Sequence, residues 1–175
     1  MPRYLGPANP PHGNPQSAGV LLVNLGTPEA ATKRAVRRYL AEFLADPRIV
    51  ELPRWLWWLV LHGLVLRIRP ARSAALYAKI WTPEGSPLRT GTVALADKLQ
   101  AVLGEQRPGP IMVRCAMRYG KPAIGTTLRE LATSGVRRVL IVPLFPQYSG
   151  TTTASVLDAI GAELATWRWV PELRF

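Results

Sequence analysis

Val136-Arg-Arg-Val-Leu-Ile-Val-Pro-Leu-Phe145 is the stretch whose reading decides the fold. A short, nearly continuous apolar run of this kind predicts a strand buried on both faces, as in a parallel sheet. It leads into Pro143-Leu-Phe-Pro-Gln-Tyr-Ser-Gly-Thr-Thr-Thr153, and the pattern then predicts a helix over Thr151–Thr166. Upstream the same alternation repeats, with a strand at Ile111–Met117 and a helix over Lys121–Ser134. Further upstream, Gly19-Val-Leu-Leu-Val-Asn-Leu-Gly26 reads as another buried strand. Thr27 is placed to cap a helix with Pro28 at its first position, running to about Ala45, where Asp46-Pro47 stops it. Val36, Tyr39, Leu40, Phe43 and Leu44 form its apolar face. A helix over Gly91–Leu103, broken by Arg107–Pro110, completes the alternation. Strand and helix in turn, with short loops, imply an open α/β fold: a parallel sheet with right-handed crossovers, flanked by helices.

Length and composition agree with one such domain. The chain has 175 residues, 48% hydrophobic and 19% charged, too apolar for a disordered tail. Seventeen Pro and fourteen Gly show no period, which excludes a collagen-like chain. A single cysteine, Cys115, permits no internal disulfide and no CxxC zinc site. Residues 1–18 read as a flexible Pro/Gly-rich arm, without the basic and apolar pattern of a signal peptide. The net charge of +11 raises the question of nucleic acid, but the basic residues fall in short groups and no recognition motif accompanies them. Nucleic acid is not expected as a partner. An acidic small molecule or an anionic membrane surface fits the charge equally well.

Residues 49–80 are of another kind. From Trp55 to Leu66 apolar residues cover most of the circumference of any helix, so the segment is either deeply buried or an exposed apolar lip. It is too short to span a membrane. A second short helix is expected at about Ser73–Ile80, ending near the turn-rich Thr82–Pro87. Arg67, Arg69 and Arg72 follow the apolar stretch directly. Arg69 and Arg72 share a helix face, giving either a solvated basic face or an anchor for a flat apolar ligand that carries carboxylates.

Few residues offer chemistry outright. Gly26 follows a strand, yet neither GxGxxG nor GxxxxGK[ST] is present. His12 lies in the arm and His62 in the apolar stretch, neither with a second ligand at metal-binding spacing. The loop Pro143–Thr153 is the best candidate: rigid, rich in polar donors (Gln147, Tyr148, Ser149, Thr151–Thr153), and placed where ligand loops of open sheets lie. Arg118-Tyr119, after the second strand, is a strand-end pair of the same sort.

Several ordered segments together resemble the N-terminal half of the ferrochelatase family, enzymes that insert ferrous iron into protoporphyrin IX. They are Leu22-Val-Asn-Leu-Gly-Thr-Pro-Glu29, Phe43-Leu-Ala-Asp-Pro-Arg-Ile-Val50, Tyr77-Ala-Lys-Ile80 with Gly85-Ser-Pro87, Met117-Arg-Tyr-Gly120, and Leu144-Phe-Pro-Gln-Tyr-Ser149. The resemblance implies two Rossmann-like domains with porphyrin between them. Residues 19–175 would be the first, its last strand incomplete, with the lip at about 53–72 and the second domain absent. It implies that Arg69, Tyr77 and Ser86 contact the porphyrin or its propionates, with Arg72 nearby. Leu25 falls where some members place a Met or Tyr, and here offers packing only. Arg118, Tyr119, Gln147, Tyr148 and Ser149 would line the pocket.

The family's catalytic His and its partner Glu are expected beyond Phe175, so no catalytic or metal-ligating residue is assigned in this chain. No tightly bound cofactor is expected; ferrous iron and protoporphyrin IX are substrates. Gly150 stands where vertebrate-type members carry a cluster-ligating Cys, so no iron–sulfur cluster is expected. The alternative is a non-catalytic porphyrin- or membrane-surface-binding module. Expected partners are protoporphyrin IX, the missing C-terminal half, and a membrane touched peripherally through Trp55–Leu66. The expected compartment is the cytoplasm, with a peripheral position at the inner membrane face. Pro171–Phe175 reads as a strand just beginning, the mark of a longer natural protein or a truncated one.

Overall fold

The computed structural model describes Tyr4, residues 17–106 and residues 109–175. His12 and nearly all of the expected arm lie outside them. Four strands form one parallel sheet: β1 (Ser17–Gly26), β2 (Ile111–Tyr119), β3 (Val136–Pro143) and β4 (Glu172–Arg174), in the order β2-β1-β3-β4. The run that reads as the most buried strand, β3, lies between β1 and β4. The short β4 pairs Arg138–Leu140 with Glu172–Arg174, as the reading of Pro171–Phe175 anticipates.

Side-chain alternation on these strands sorts the core into layers. Leu21, Val23, Ala116, Val139 and Ile141 face one side, covered by α5 (Ile124–Thr133) and α6 (Ser155–Leu164). Val20, Leu22 and Val113 face the other, under α4 (Pro87–Gln106) through Ala96, Leu99 and Leu103. The Gln100 amide on α4 closes the outer edge of β2, donating to the Ile111 carbonyl at 3.1 Å and accepting from the Val113 N–H at 2.7 Å. A third cluster sits near the carboxyl ends of β1 and β2, built from α1 (Lys33–Ala45), the helix pair α2 (Arg54–Val60) and α3 (Leu66–Ile80), Leu25 and Tyr119.

Three elements differ most from the sequence reading; in addition α5 begins at Ile124 rather than Lys121, and a π turn at Gly150–Ala154 precedes α6. α1 begins at Lys33, not Pro28, and its cap is Thr32, whose hydroxyl accepts from the Ala35 N–H at 3.3 Å. The cause is the passage at Gly26, which has φ +111° and lies so close to β2 that an added Cβ would meet the Tyr119 carbonyl at 1.9 Å. The chain must clear this crossing before it can coil, and Thr27 is buried there with its hydroxyl unpartnered. Second, α2 and α3 are one helical run, joined by a π turn at Leu61–Val65 and continuing through Pro70. A widened turn lets the helix run on where two separate helices were expected. Third, α4 starts at Pro87 rather than Gly91, because proline is preorganised for the first helical turn.

Candidate functional site

The order β2-β1-β3 reverses direction at β1, and open α/β sheets bind ligands at the carboxyl ends near such a reversal. Around those ends the chain places two contrasting constructions.

The first is a buried hub on Asp46, the residue that ends α1. Its side chain is 3% exposed and takes three side-chain donors on Oδ2: Arg118 Nη2 at 2.7 Å, the Tyr119 hydroxyl at 2.7 Å and the Ser155 hydroxyl at 2.6 Å. Oδ1 accepts from the Arg48 N–H at 2.8 Å. Arg118 Nε also donates to the Ser155 hydroxyl and carbonyl, at 2.6 and 2.8 Å. Arg48 in turn grips Asp158 on α6 through Nε and Nη2. Burial opposes ionisation of Asp46, but the hydrogen bonds from Ser155, Tyr119 and Arg48 and the charge of Arg118 outweigh it and hold the carboxyl below its ordinary range. The Tyr119 phenol is pushed up to about 12, chiefly by burial. The hub ties the end of α1, the end of β2 and the start of α6 into one unit. Its acceptors and donors are matched, so it holds shape.

The second construction is aromatic. Tyr39 stacks on Phe43 at 6.0 Å and meets Tyr77 edge-on at 6.5 Å; Tyr77 meets Trp81 at 6.3 Å, and Phe43 meets Tyr119 at 5.0 Å. Leu25 and Val65 pack against the same cluster. Burial raises the Tyr39 phenol well above its usual range and raises Tyr77 as well, where the nearby Arg69 charge pulls partly back. Both are neutral hydroxyls at physiological pH. Arg69 and Arg72 stand exposed along α3 and line an open groove of about 590 Å³ with Leu64, Val65, Ile68 and Leu76.

Of the sequence candidates, then, Leu25 and Tyr77 join one cluster, and Arg69 and Arg72 border the groove beside it. Ser86 is buried just before α4. Arg118 and Tyr119 are held by Asp46 and Ser155, so their polar atoms face inward. Gln147 and Tyr148 are exposed on the loop after β3, Tyr148 at 73%. Ser149 caps the following turn, its N–H donating to the Thr152 hydroxyl at 3.1 Å. The sequence assigns no site role to Asp46 or Ser155: Asp46-Pro47 reads as a helix stop and as part of the Phe43–Val50 segment. The one available signal was an acidic residue closing an apolar helix face.

The lip is exposed. Trp55 is 71% and Trp58 59% accessible, with Leu59, Leu64, Ile68, Leu76 and Ile80 also open to solvent. Leu61 and Leu66 anchor the run in the core. Trp57 is an anchor too, half-buried and donating from Nε1 to the Leu44 carbonyl at 2.6 Å. Between Arg54 and Ile80 there are five cationic residues (Arg54, Arg67, Arg69, Arg72, Lys79) and no acidic one. Among the described residues no helix is long and apolar enough to cross a membrane, and no group of three His, Cys, Asp or Glu is gathered to hold a metal ion.

Comparison with known proteins covers the whole of this architecture. The ferrochelatase family matches residues 17–175. A ferrochelatase of Thioalkalivibrio sulfidiphilus is 51% identical over 173 residues, 99% of this chain and 47% of that protein. One of Methylibium petroleiphilum is 56% identical over 164 residues, 94% of this chain and 45% of its own length. One of Dechloromonas aromatica is 51% identical across 100% of this chain and 47% of its own. The chain spans about half the length of these curated relatives. With the parallel α/β sheet, the aromatic cluster under the lip and a family match from the first strand to the last residue, the chain belongs to the ferrochelatase family.

Proposed function

We propose that this chain forms the porphyrin-holding wall of an enzyme that inserts ferrous iron into protoporphyrin IX to give protoheme. The observation that carries the reading is the juxtaposition of an exposed apolar lip, the Leu25–Tyr77 cluster and the Arg69–Arg72 pair in a chain of this family. A flat macrocycle is apolar across its faces and anionic at its propionates. The lip and cluster offer the apolar contact, and the guanidinium groups offer charge-assisted hydrogen bonds to the carboxylates. Insertion replaces two pyrrole N–H bonds with bonds to iron and releases two protons, so a base must accept them. No side chain described above is placed to do so. Arg118 and Tyr119, closed onto Asp46, shape the wall; Gln147 and Tyr148 are the groups of the β3 loop free to approach the ring. The base and the opposing wall belong to the half of the fold outside this chain, and 1–175 alone binds porphyrin without metallating it.

The lip serves this reading in a second way. Apolar side chains flanked by five cations and no acids suit peripheral contact with a membrane, the phase from which an apolar porphyrin would be drawn. The test is a fluorescence titration of the purified chain with protoporphyrin IX, alongside an iron-insertion assay. Saturable binding without insertion is expected. Absence of binding, or insertion at the rate of a full-length enzyme, overturns the reading.

A further inference from the structure

The stripe of β1 that faces α4 runs Val20, Leu22, Asn24, so its last position changes from apolar to amide. At this end β1 outlasts one of its neighbours. It pairs with β2 as far as Gly26 and Tyr119, but with β3 only as far as Val23 and Pro143. Among the described residues the last bond from the β3 side is the Leu144 N–H donating to the Val23 carbonyl at 2.7 Å. The Leu25 N–H donates instead to Oδ1 of Asn24, at 2.8 Å. The other end of that amide donates from Nδ2 to the Thr92 hydroxyl on α4, at 3.0 Å. Thr92 is 4% exposed, and its own proton goes to the Leu88 carbonyl at 2.7 Å, so it meets the amide as an acceptor. Just past Leu25, the Gly26 carbonyl accepts from the Tyr39 hydroxyl at 3.3 Å. Asn is a poor strand former and Thr a poor helix former, and a buried polar pair gains little net stability over apolar residues of the same shape. What the pair does provide is fixed geometry. It sets the backbone of Leu25 relative to the first turns of α4, which opens directly after Ser86.

We infer that Asn24, acting through Thr92, is a positioning residue of the porphyrin wall, a role that presupposes the site proposed above. It does not touch the ring. It fixes the spacing between two groups that would: Leu25, half-buried against the cluster of Tyr39 and Tyr77, and Ser86 at the head of α4. A rigid, flat ligand cannot follow a wall whose parts drift. Holding those parts at a set spacing beforehand lowers the ordering cost of binding. Apolar contact between β1 and α4 is non-directional and leaves the two free to slide, whereas the hydrogen bonds of Asn24 hold only over a narrow range of distance and angle. Thr92→Val keeps the shape of the side chain but removes the acceptor and strands the Asn24 amide. Thr92→Ser keeps the hydroxyl.

The experiment is fluorescence titration of the full chain with protoporphyrin IX, recording for each variant the affinity, the absorption maximum of the bound porphyrin and the melting temperature. Thr92→Val and Asn24→Ala should each weaken binding by about three- to tenfold, the range for one lost hydrogen bond, and should shift the bound absorption maximum. Thr92→Ser should keep both at the values of the natural chain. Gln100→Leu breaks two hydrogen bonds at the outer edge of β2, far from Leu25 in the sheet. It should lower the melting temperature and leave affinity and absorption maximum unchanged. Where Asn24→Ala does not fold, the near-isosteric Thr92→Val and its comparison with Thr92→Ser decide the matter. Unchanged affinity and spectrum in Thr92→Val, an equal loss in Thr92→Ser, or an equal loss in Gln100→Leu overturns the inference while porphyrin binding by the natural chain stands. No binding by the natural chain removes the proposed function, and the inference with it.

Discussion

Asp46 and the helical run Arg54–Ile80 stand side by side and follow opposite rules. Around Asp46 polar groups are buried, and each finds a partner: one carboxylate answers Arg118, Tyr119, Ser155 and the Arg48 N–H. Along Arg54–Ile80 apolar groups are exposed: Trp55, Trp58, Leu64 and Ile68 all stand open to solvent, Trp58 meeting only the His62 ring at 5.0 Å among the ring contacts of the described residues. Burying a charge is costly unless it is paired, so a completed hub marks a place that has to hold its shape. Exposing a contiguous apolar surface is costly unless something covers it, which is why we propose that the lip meets a partner. Rigidity and recognition are thereby separated, although Trp57, bonded to the Leu44 carbonyl, and the Tyr39–Tyr77 contact join them.

The comparison breaks most severely at the hub. Asp46→Ala leaves Arg118, Tyr119 and Ser155 buried without their acceptor and should cost about 3–5 kcal/mol, read by urea or thermal unfolding. A loss below about 1 kcal/mol would show that water replaces the carboxylate at no cost. The acid limb tests the same residue. Its carboxyl is held below the unfolded value, so its contribution is present above that value, near pH 4, and fades as pH falls through the lower folded one. Stability should therefore decline more steeply below about pH 4 in the natural chain than in Asp46→Asn.

Within the lip, Trp57 and Trp58 sharpen the contrast because adjacent residues should behave oppositely. Trp57→Ser removes a half-buried ring and its hydrogen bond and should cost about 2–4 kcal/mol of stability. Trp58→Ser should change stability by no more than about 0.5 kcal/mol. It should instead reduce co-sedimentation with anionic lipid vesicles. Equal effects on unfolding for the two would dissolve the distinction between anchor and lip. A smaller effect is expected at Arg69, which we propose anchors the ligand: Arg69→Ala should weaken protoporphyrin binding by about 1.5–3 kcal/mol, with little change in melting temperature, as for a lost hydrogen bond to a charged group. Ser86→Ala is the useful contrast, since Ser86 is buried and its loss should register in stability as well.

Much of the fold was legible in the sequence because its signals are local. A parallel strand is apolar along most of its length, so Val136–Pro143 and Gly19–Gly26 announce themselves as strands without reference to anything else. Burial on both faces, expected of Val136–Phe145, does not hold: β3 has one face partly open, with Leu140 42% exposed. The amphipathic face of α1 is set by Val36, Tyr39, Leu40 and Leu44 at helical spacing, and those residues are buried. The start of α1 was not legible. Thr27 and Thr32 are both competent caps, and the choice between them is made by the approach of Gly26 to Tyr119, more than 90 residues away in the chain. Nor was the joining of α2 to α3, where a π turn carries the helix past Gly63.

The candidate site divides along the same line. That Arg69 and Arg72 follow an apolar stretch, and that Gln147–Ser149 follow a strand, is written in the order of residues, because loops after parallel strands converge on one end of the sheet. What Arg118 and Tyr119 do with their polar atoms is not, because hydrogen bonding inside a core depends on which segments meet there. Asp46 and Ser155 are 109 residues apart and touch at 2.6 Å. Sequence alone determined which segments are apolar, which can coil, and which family they resemble, since those properties belong to each segment by itself. Only the tertiary structure decided which apolar surfaces are left bare and which polar groups are closed off, because burial and hydrogen bonding are properties of pairs brought together by the fold.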